Sequence, residues 1–212
     1  RRRRSSPTLG RVTSESASPP VSQVWNLPNV LTMLRIVLVP FFVVLMWQDT
    51  LATRLGALAV FLVAALTDKL DGYLARSRDM VTNFGKLADP FADKMLVGGA
   101  IIMLSVLGIL PWWATITIIV REAGITILRF IMVRRWVMAA SKGGKLKTVL
   151  QVIFIALMIL PAVGLFGATI SGMIETAAFV VMLVAVAVTV VTGLDYVVRA
   201  IKVARSAAAP PA

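Results

Sequence analysis

Neither cysteine nor histidine occurs in the 212 residues. Without thiols there is no disulfide framework and no thiolate metal site. Without imidazole, proton transfer near neutral pH falls to a carboxylate, or less suitably to a lysine or tyrosine, and any metal must be held by oxygen. Charge is scarce as well: 15% of residues are Asp, Glu, Lys or Arg, while 58% are hydrophobic. A soluble domain of this length does not need so much apolar surface, and lipid is the solvent that suits the composition. Only 10 acidic residues stand against 22 basic ones, a net charge of +12. In a soluble chain that excess would suggest nucleic acid. Here the basic residues sit at the ends of apolar runs, so the expected partners are an anionic membrane surface and an anionic substrate, with no nucleic acid.

Six apolar segments follow one another with short breaks, at 31–47, 55–75, 93–110, 112–133, 149–166 and 172–198. Each is close to the ~20 residues that a helix needs to cross about 30 Å of hydrocarbon. Backbone groups in lipid must be satisfied within their own segment, which predicts an all-α integral membrane protein with six transmembrane helices. A β-barrel would show shorter, alternating segments. Basic residues concentrate on every second connection: Arg76, Arg78 and Lys86, then Arg134, Arg135, Lys142, Lys145 and Lys147, then Arg199, Lys202 and Arg205. That asymmetry puts both termini and a polar active-site cavity on the cytoplasmic side. Residues 21–29, with Trp25 and Pro28, read as a short interfacial segment before the first helix. Residues 1–20 open with four arginines and lack an apolar stretch, so they read as a disordered basic tail rather than a signal peptide. The membrane domain then covers 21–205, and 206–212 form a second disordered tail.

Four of the ten acidic residues stand at helical spacing. Asp68, Asp71 and Ala75 fall on one face of the second segment, with Gly72 beside them. Gly85, Asp89 and Asp93 fall on one face at the start of the third. The connection between the segments is short, so the two helices should be antiparallel neighbours with converging carboxylates. An ionised carboxylate at membrane depth costs about 2.5–3.5 kcal/mol on insertion scales. Four together would also repel one another unless cations lie between them. Oxygen-only ligands suit Mg²⁺ or Mn²⁺, and two such ions can clamp a diphosphate during displacement at phosphorus. Glycine at 72 and 85 lets a bulky group approach the backbone, and Arg76 is placed to meet a phosphate. The plainer reading is a set of helix-end carboxylates paired with Lys69, Lys86 and Lys94.

The run Asp68-x2-Asp71-Gly72-x2-Ala75-Arg76-x8-Gly85-x3-Asp89-x3-Asp93 resembles, at every fixed position, the signature of the CDP-alcohol phosphatidyltransferase family. The resemblance implies a six-helix membrane fold, often a homodimer. It implies that Asp68, Asp71 and Asp89 bind metal, and that Asp93 acts on the acceptor hydroxyl while also lying near the metals. It further implies CMP as leaving group, with the nucleotide near Gly72, Ala75, Arg76 and Gly85.

Specificity for the alcohol should lie outside this motif. Arg121, Glu122 and Arg129 interrupt an apolar segment at a cost, and the two arginines point within roughly 80° of each other on a helix. Lys142, Lys145, Lys147, Thr148 and Gln151 follow. So many cations at one cavity suggest an acceptor that carries its own phosphate. Residues 26–35, 121–129 and 144–151 resemble the bacterial phosphatidylglycerophosphate synthase branch of the family. That branch implies CDP-diacylglycerol and glycerol 3-phosphate as substrates, a bacterial plasma membrane, and Asn29 and Thr32 near the CDP-lipid. Plainer readings stand beside these. Arg121 and Glu122 can be a pair between helices, Lys142 to Lys147 positive-inside charge, Asn29 and Thr32 an N-cap and first-turn residue, and Arg35 a snorkelling cation. Trp47, Trp112, Trp113 and Trp136 read as interface anchors. Rival functions are transfer to phosphatidylglycerol or inositol phosphate by the same chemistry and, from a different class, a small cation transporter.

Overall fold

The computed structural model describes residues 27–77, 83–133, 142–160 and 165–208. Among them there are six α-helices and no strand: α1 (Leu27–Gln48), α2 (Leu51–Ser77), α3 (Asn83–Val106), α4 (Trp112–Val133), α5 (Lys142–Ile159) and α6 (Ala168–Ala208). α1, α2 and α3 pack on one another. α6 carries α4 and α5, and α3 joins the two groups by touching both α4 and α5.

The turns explain why the helices stop where they do. Between α1 and α2 Asp49 adopts φ 51°, a left-handed conformation that short polar side chains tolerate. Thr50 then caps α2. Its Oγ1 accepts from the Thr53 N–H at 3.3 Å, while its own N–H donates to Thr53 Oγ1 at 3.1 Å, a reciprocal capping box. α3 ends at Gly108, φ +72°, where Ile109 N–H reaches Leu104 O at 2.9 Å and Gly108 N–H reaches Ser105 O at 3.1 Å. This pattern is a Schellman motif, and Pro111 beyond it prevents the helix from continuing.

Fully buried Phe42, Phe61, Ile101, Leu104, Phe154 and Met182 form the core, drawn from α1, α2, α3, α5 and α6. The outside is equally apolar. Val37 and Phe41 on α1, Val120 and Ile131 on α4, and Val191 and Leu194 on α6 are all exposed. A protein that is hydrophobic on both sides of its helices has a lipid exterior. Two helices are long and apolar enough to cross a membrane unaided, over Val30–Gln48 and Ala168–Val203, and shorter apolar helical stretches cover Leu51–Thr67, Lys94–Val106 and Leu146–Ile159. Trp47, Trp112 and Trp113 are exposed at the end of α1 and the start of α4, on one end of the bundle.

Several boundaries differ from the sequence expectation. α1 begins at Leu27, so 27–29 are helical and continuous with the first apolar segment, and Asn29 lies inside the first turn instead of capping it. α3 starts at Asn83 rather than 93: its first turns are too polar for an apolar run to reveal, yet they are helical. α5 starts earlier, at Lys142, and ends at Ile159 before Pro161, short of 166. α6 begins at Ala168 and runs to Ala208, so 206–208 continue a helix. Arg35 does not snorkel to an interface, because it is fully buried within the bundle.

Candidate active site

The aspartate motif lies on two packed helices. Asp68, Asp71, Gly72, Ala75 and Arg76 belong to the last turns of α2, and Gly85, Asp89 and Asp93 to the first turns of α3. α2 and α3 touch each other. Asp71 stands as far from the end of α2 at Ser77 as Asp89 does from the start of α3 at Asn83, roughly 9 Å of helical rise in each case. Asp68 and Asp93 form a second, similarly matched level. The side chains of these residues, like those of Asn29, Arg129, Lys142 and Lys145, lie outside the described part of the structure. Among the described residues no three acidic side chains come together, so a metal reading rests on these four positions. Oxygen donors alone, paired across two neighbouring helices, suit hard divalent cations.

Beside α3 the described side chains build a charged junction around Glu122, midway along the apolar helix α4. Its carboxylate accepts from the Lys147 ammonium on α5 and, at 3.1 Å, from Arg121 Nη1. Lys94, next to Asp93 on α3, donates to the Thr126 hydroxyl and lies 3.5 Å from the Glu122 carbonyl oxygen. Thr126 in turn donates to that carbonyl at 2.7 Å. One carboxylate therefore pairs with two cations, Arg121 and Lys147, while Lys94 from a third helix sits at the Glu122 backbone, and the neighbourhood is left positive. Pairing of this kind offsets the cost of placing an acid among apolar helices.

Arg121 turns the other way, onto α6. Its Nε donates to Thr189 O at 3.2 Å and its Nη2 to Thr192 Oγ1 at 3.1 Å. The stem lies over Gly193, where an added Cβ would stand 3.0 Å from Arg121 Cγ. The structure does not bring Arg121 to the wall shared by Lys147 and Thr148, and its contacts are those of a tie between helices.

That wall encloses a cavity of about 420 Å³ between α1, α3, α4 and α5. Lys94, Glu122, Lys147, Thr148 and Gln151 give it a polar part, while Val39, Val97, Ile101, Ile102, Ile118 and Ile119 give it an aliphatic one. The volume is in the usual range for small-ligand sites. Thr32, one turn before Arg35 on α1, is fully buried. Lys147 and Thr148 thus line the cavity.

Residues 25–191 match the model of the CDP-alcohol phosphatidyltransferase family. The chain belongs to that family. Among similar CDP-alcohol phosphatidyltransferases, a probable phosphatidylglycerophosphate synthase of Mycobacterium tuberculosis is 47% identical over 184 residues, 85% of this chain and 84% of the relative. The CDP-diacylglycerol–glycerol-3-phosphate 3-phosphatidyltransferase of Bacillus subtilis is 39% identical over 150 residues, 65% of this chain and 78% of the relative. Its namesake from Rickettsia typhi is 37% identical over 175 residues, 81% of this chain and 94% of the relative. The aspartate signature was therefore a sound guide to the chemistry of this phosphatidyltransferase. Sequence reasoning noticed Glu122 as a costly charge and Gln151 beside the basic segment, but gave Lys94 no part in the cavity. Lys94 carried a usable signal, namely charge inside an apolar helix, which had been applied only to α4.

Proposed function

We propose that the protein transfers the phosphatidyl group of CDP-diacylglycerol to glycerol 3-phosphate, giving phosphatidylglycerophosphate and CMP. The observation that carries this reading is the complete aspartate motif on two packed helices beside a cavity whose polar part bears Lys94 and Lys147. The names of the relatives at 37–47% identity support the same donor and acceptor.

Asp68, Asp71, Asp89 and Asp93 hold the divalent ions in this reading. Two Mg²⁺ or Mn²⁺ ions held there would supply charge neutralisation for the diphosphate leaving group. Asp93 takes the proton of the primary hydroxyl of the acceptor, whose oxygen bonds to the phosphorus bearing the diacylglycerol. The bond from that phosphorus to the bridging oxygen breaks, and CMP leaves with the electron pair. Gly72, Ala75, Arg76 and Gly85 seat the nucleotide, and Asn29 and Thr32 lie toward the CDP-lipid. Lys142, Lys145, Lys147, Thr148 and Arg129 meet the acceptor phosphate, and Arg121, tied to α6 and paired with Glu122, adds its charge to that site. All six helices span a bacterial plasma membrane, both termini and the site face the cytoplasm, and the enzyme works as a homodimer.

The decisive experiment is CMP release by purified protein from CDP-diacylglycerol, comparing glycerol 3-phosphate, inositol phosphate and phosphatidylglycerol. Turnover with glycerol 3-phosphate that stops on chelation, returns with Mg²⁺ or Mn²⁺ and is lost in Asp89→Asn is the expected result. Turnover with a different acceptor would overturn the acceptor assignment, and turnover that survives chelation would overturn the metal assignment.

A further inference from the structure

Gln151 is 98% buried on α5. Its side chain lines the cavity beside Lys147 and Thr148, and its Nε2 makes no hydrogen bond. Folded proteins rarely leave a buried amide N–H unpaired, because the group loses water without gaining an acceptor. An unpaired donor beside a ligand-sized cavity is available to a ligand oxygen once the carboxamide turns toward it.

The place of Gln151 on its helix indicates which oxygen. It follows Lys147 by one turn on the same face of α5, roughly 6 Å further along the axis. Of the polar residues that α5 gives to the cavity, it is the one farthest from the lysine-bearing start of the helix. The phosphate dianion is drawn to the ammonium groups of Lys94 and Lys147. A neutral amide one turn on suits a neutral oxygen. In glycerol 3-phosphate the group between the phosphate and the reacting primary hydroxyl is the secondary hydroxyl.

We propose that Gln151 is a specificity-determining residue that donates a hydrogen bond from Nε2 to the secondary hydroxyl of the acceptor. This rests on the glycerol 3-phosphate reading above and adds to it a cause of selectivity. An acceptor without that hydroxyl would close water out of the cavity and leave the amide unpaired, the kind of mismatch that rejects an analogue more strongly than a lost apolar contact does.

The test compares glycerol 3-phosphate with propane-1,3-diol monophosphate, which lacks only the secondary hydroxyl, as acceptors for the wild-type protein and for Gln151→Met and Gln151→Leu. The wild type should prefer glycerol 3-phosphate by roughly tenfold or more in kcat/KM. Each variant should lose about that factor on glycerol 3-phosphate and stay within about twofold of wild type on the deoxy acceptor, so that the preference collapses. A wild type that uses both acceptors equally refutes the proposal without any variant. So do variants that lose the same factor on both, since a role in packing or in phosphate binding would do that. Failure of wild type to use glycerol 3-phosphate at all, with turnover on a different alcohol, would refute the acceptor reading beneath it, an outcome distinct from the other two.

Discussion

Replacing Glu122 by leucine removes the carboxylate to which Arg121 and Lys147 both donate, and the structure sets the size of the effect. The side chains of Lys147, Arg121 and Glu122 are 9%, 16% and 26% exposed. Removing one partner of a fully buried ion pair costs about 3–5 kcal/mol, because a charge is left without its counter-ion. Two features reduce that figure here. Glu122 retains some solvent, and Arg121 keeps the Thr189 carbonyl and the Thr192 hydroxyl on α6. Hydrogen bonds between membrane helices also average only about 0.6 kcal/mol when measured by double-mutant cycles. Balancing these, we expect Glu122→Leu to destabilise the protein by about 2 kcal/mol. Removing the stranded ammonium as well, in Glu122→Leu with Lys147→Met, should restore about half of the loss. Unfolding in mixed micelles of dodecyl sulfate and a mild detergent, followed by the fluorescence of the five tryptophans, reads both quantities. A Glu122→Leu protein as stable as wild type would refute the junction as a source of stability. A double variant whose loss equals the sum of the single losses would refute the coupling.

Two further outcomes follow from close contacts. In Gly193→Ala the new methyl stands 3.0 Å from Arg121 Cγ, so the Arg121 stem must give by a few tenths of an ångström and strain its bonds to Thr189 and Thr192; a loss of about 1 kcal/mol is expected in the same unfolding assay. Asp49→Ala removes the acceptor of Arg54 Nε at 2.7 Å and Nη2 at 2.6 Å; with Arg54 only 3% exposed, stability should fall by about 1–2 kcal/mol, and Arg54→Met in the same background should recover part of it.

How much of this was legible depended on whether the signal was local. The helix cores were visible as apolar runs; the third run was drawn to 110, and only the folded chain shows that α3 stops at Val106, before the left-handed Gly108. The aspartates were visible because their spacing is itself the information. The start of α3 was not: Asn83 to Pro90 contains a proline and several polar residues, and the motif made it recognisable where hydropathy did not. The orientation of Arg121 was not legible either. Helical arithmetic says which residues share a face with it, but Thr189 and Gly193, some seventy positions later, decide what that face meets. Gln151 looked like the end of a basic segment, because being buried without a partner is a property of the folded chain alone.

The length of α6 has a mechanical consequence. Its apolar stretch Ala168–Val203 holds 36 residues, roughly 54 Å of helix, against about 30 Å of hydrocarbon. Even at the steep end of observed tilts, about 40°, the bilayer interior accommodates only some 26 residues. About ten apolar residues must then stand at headgroup level, where the membrane surface itself grips the helix. Because α6 packs on both α4 and α5 and Arg121 is fastened to it, a change in bilayer thickness that slides or tilts this helix would bear on both helices that carry the Glu122–Lys147 pair.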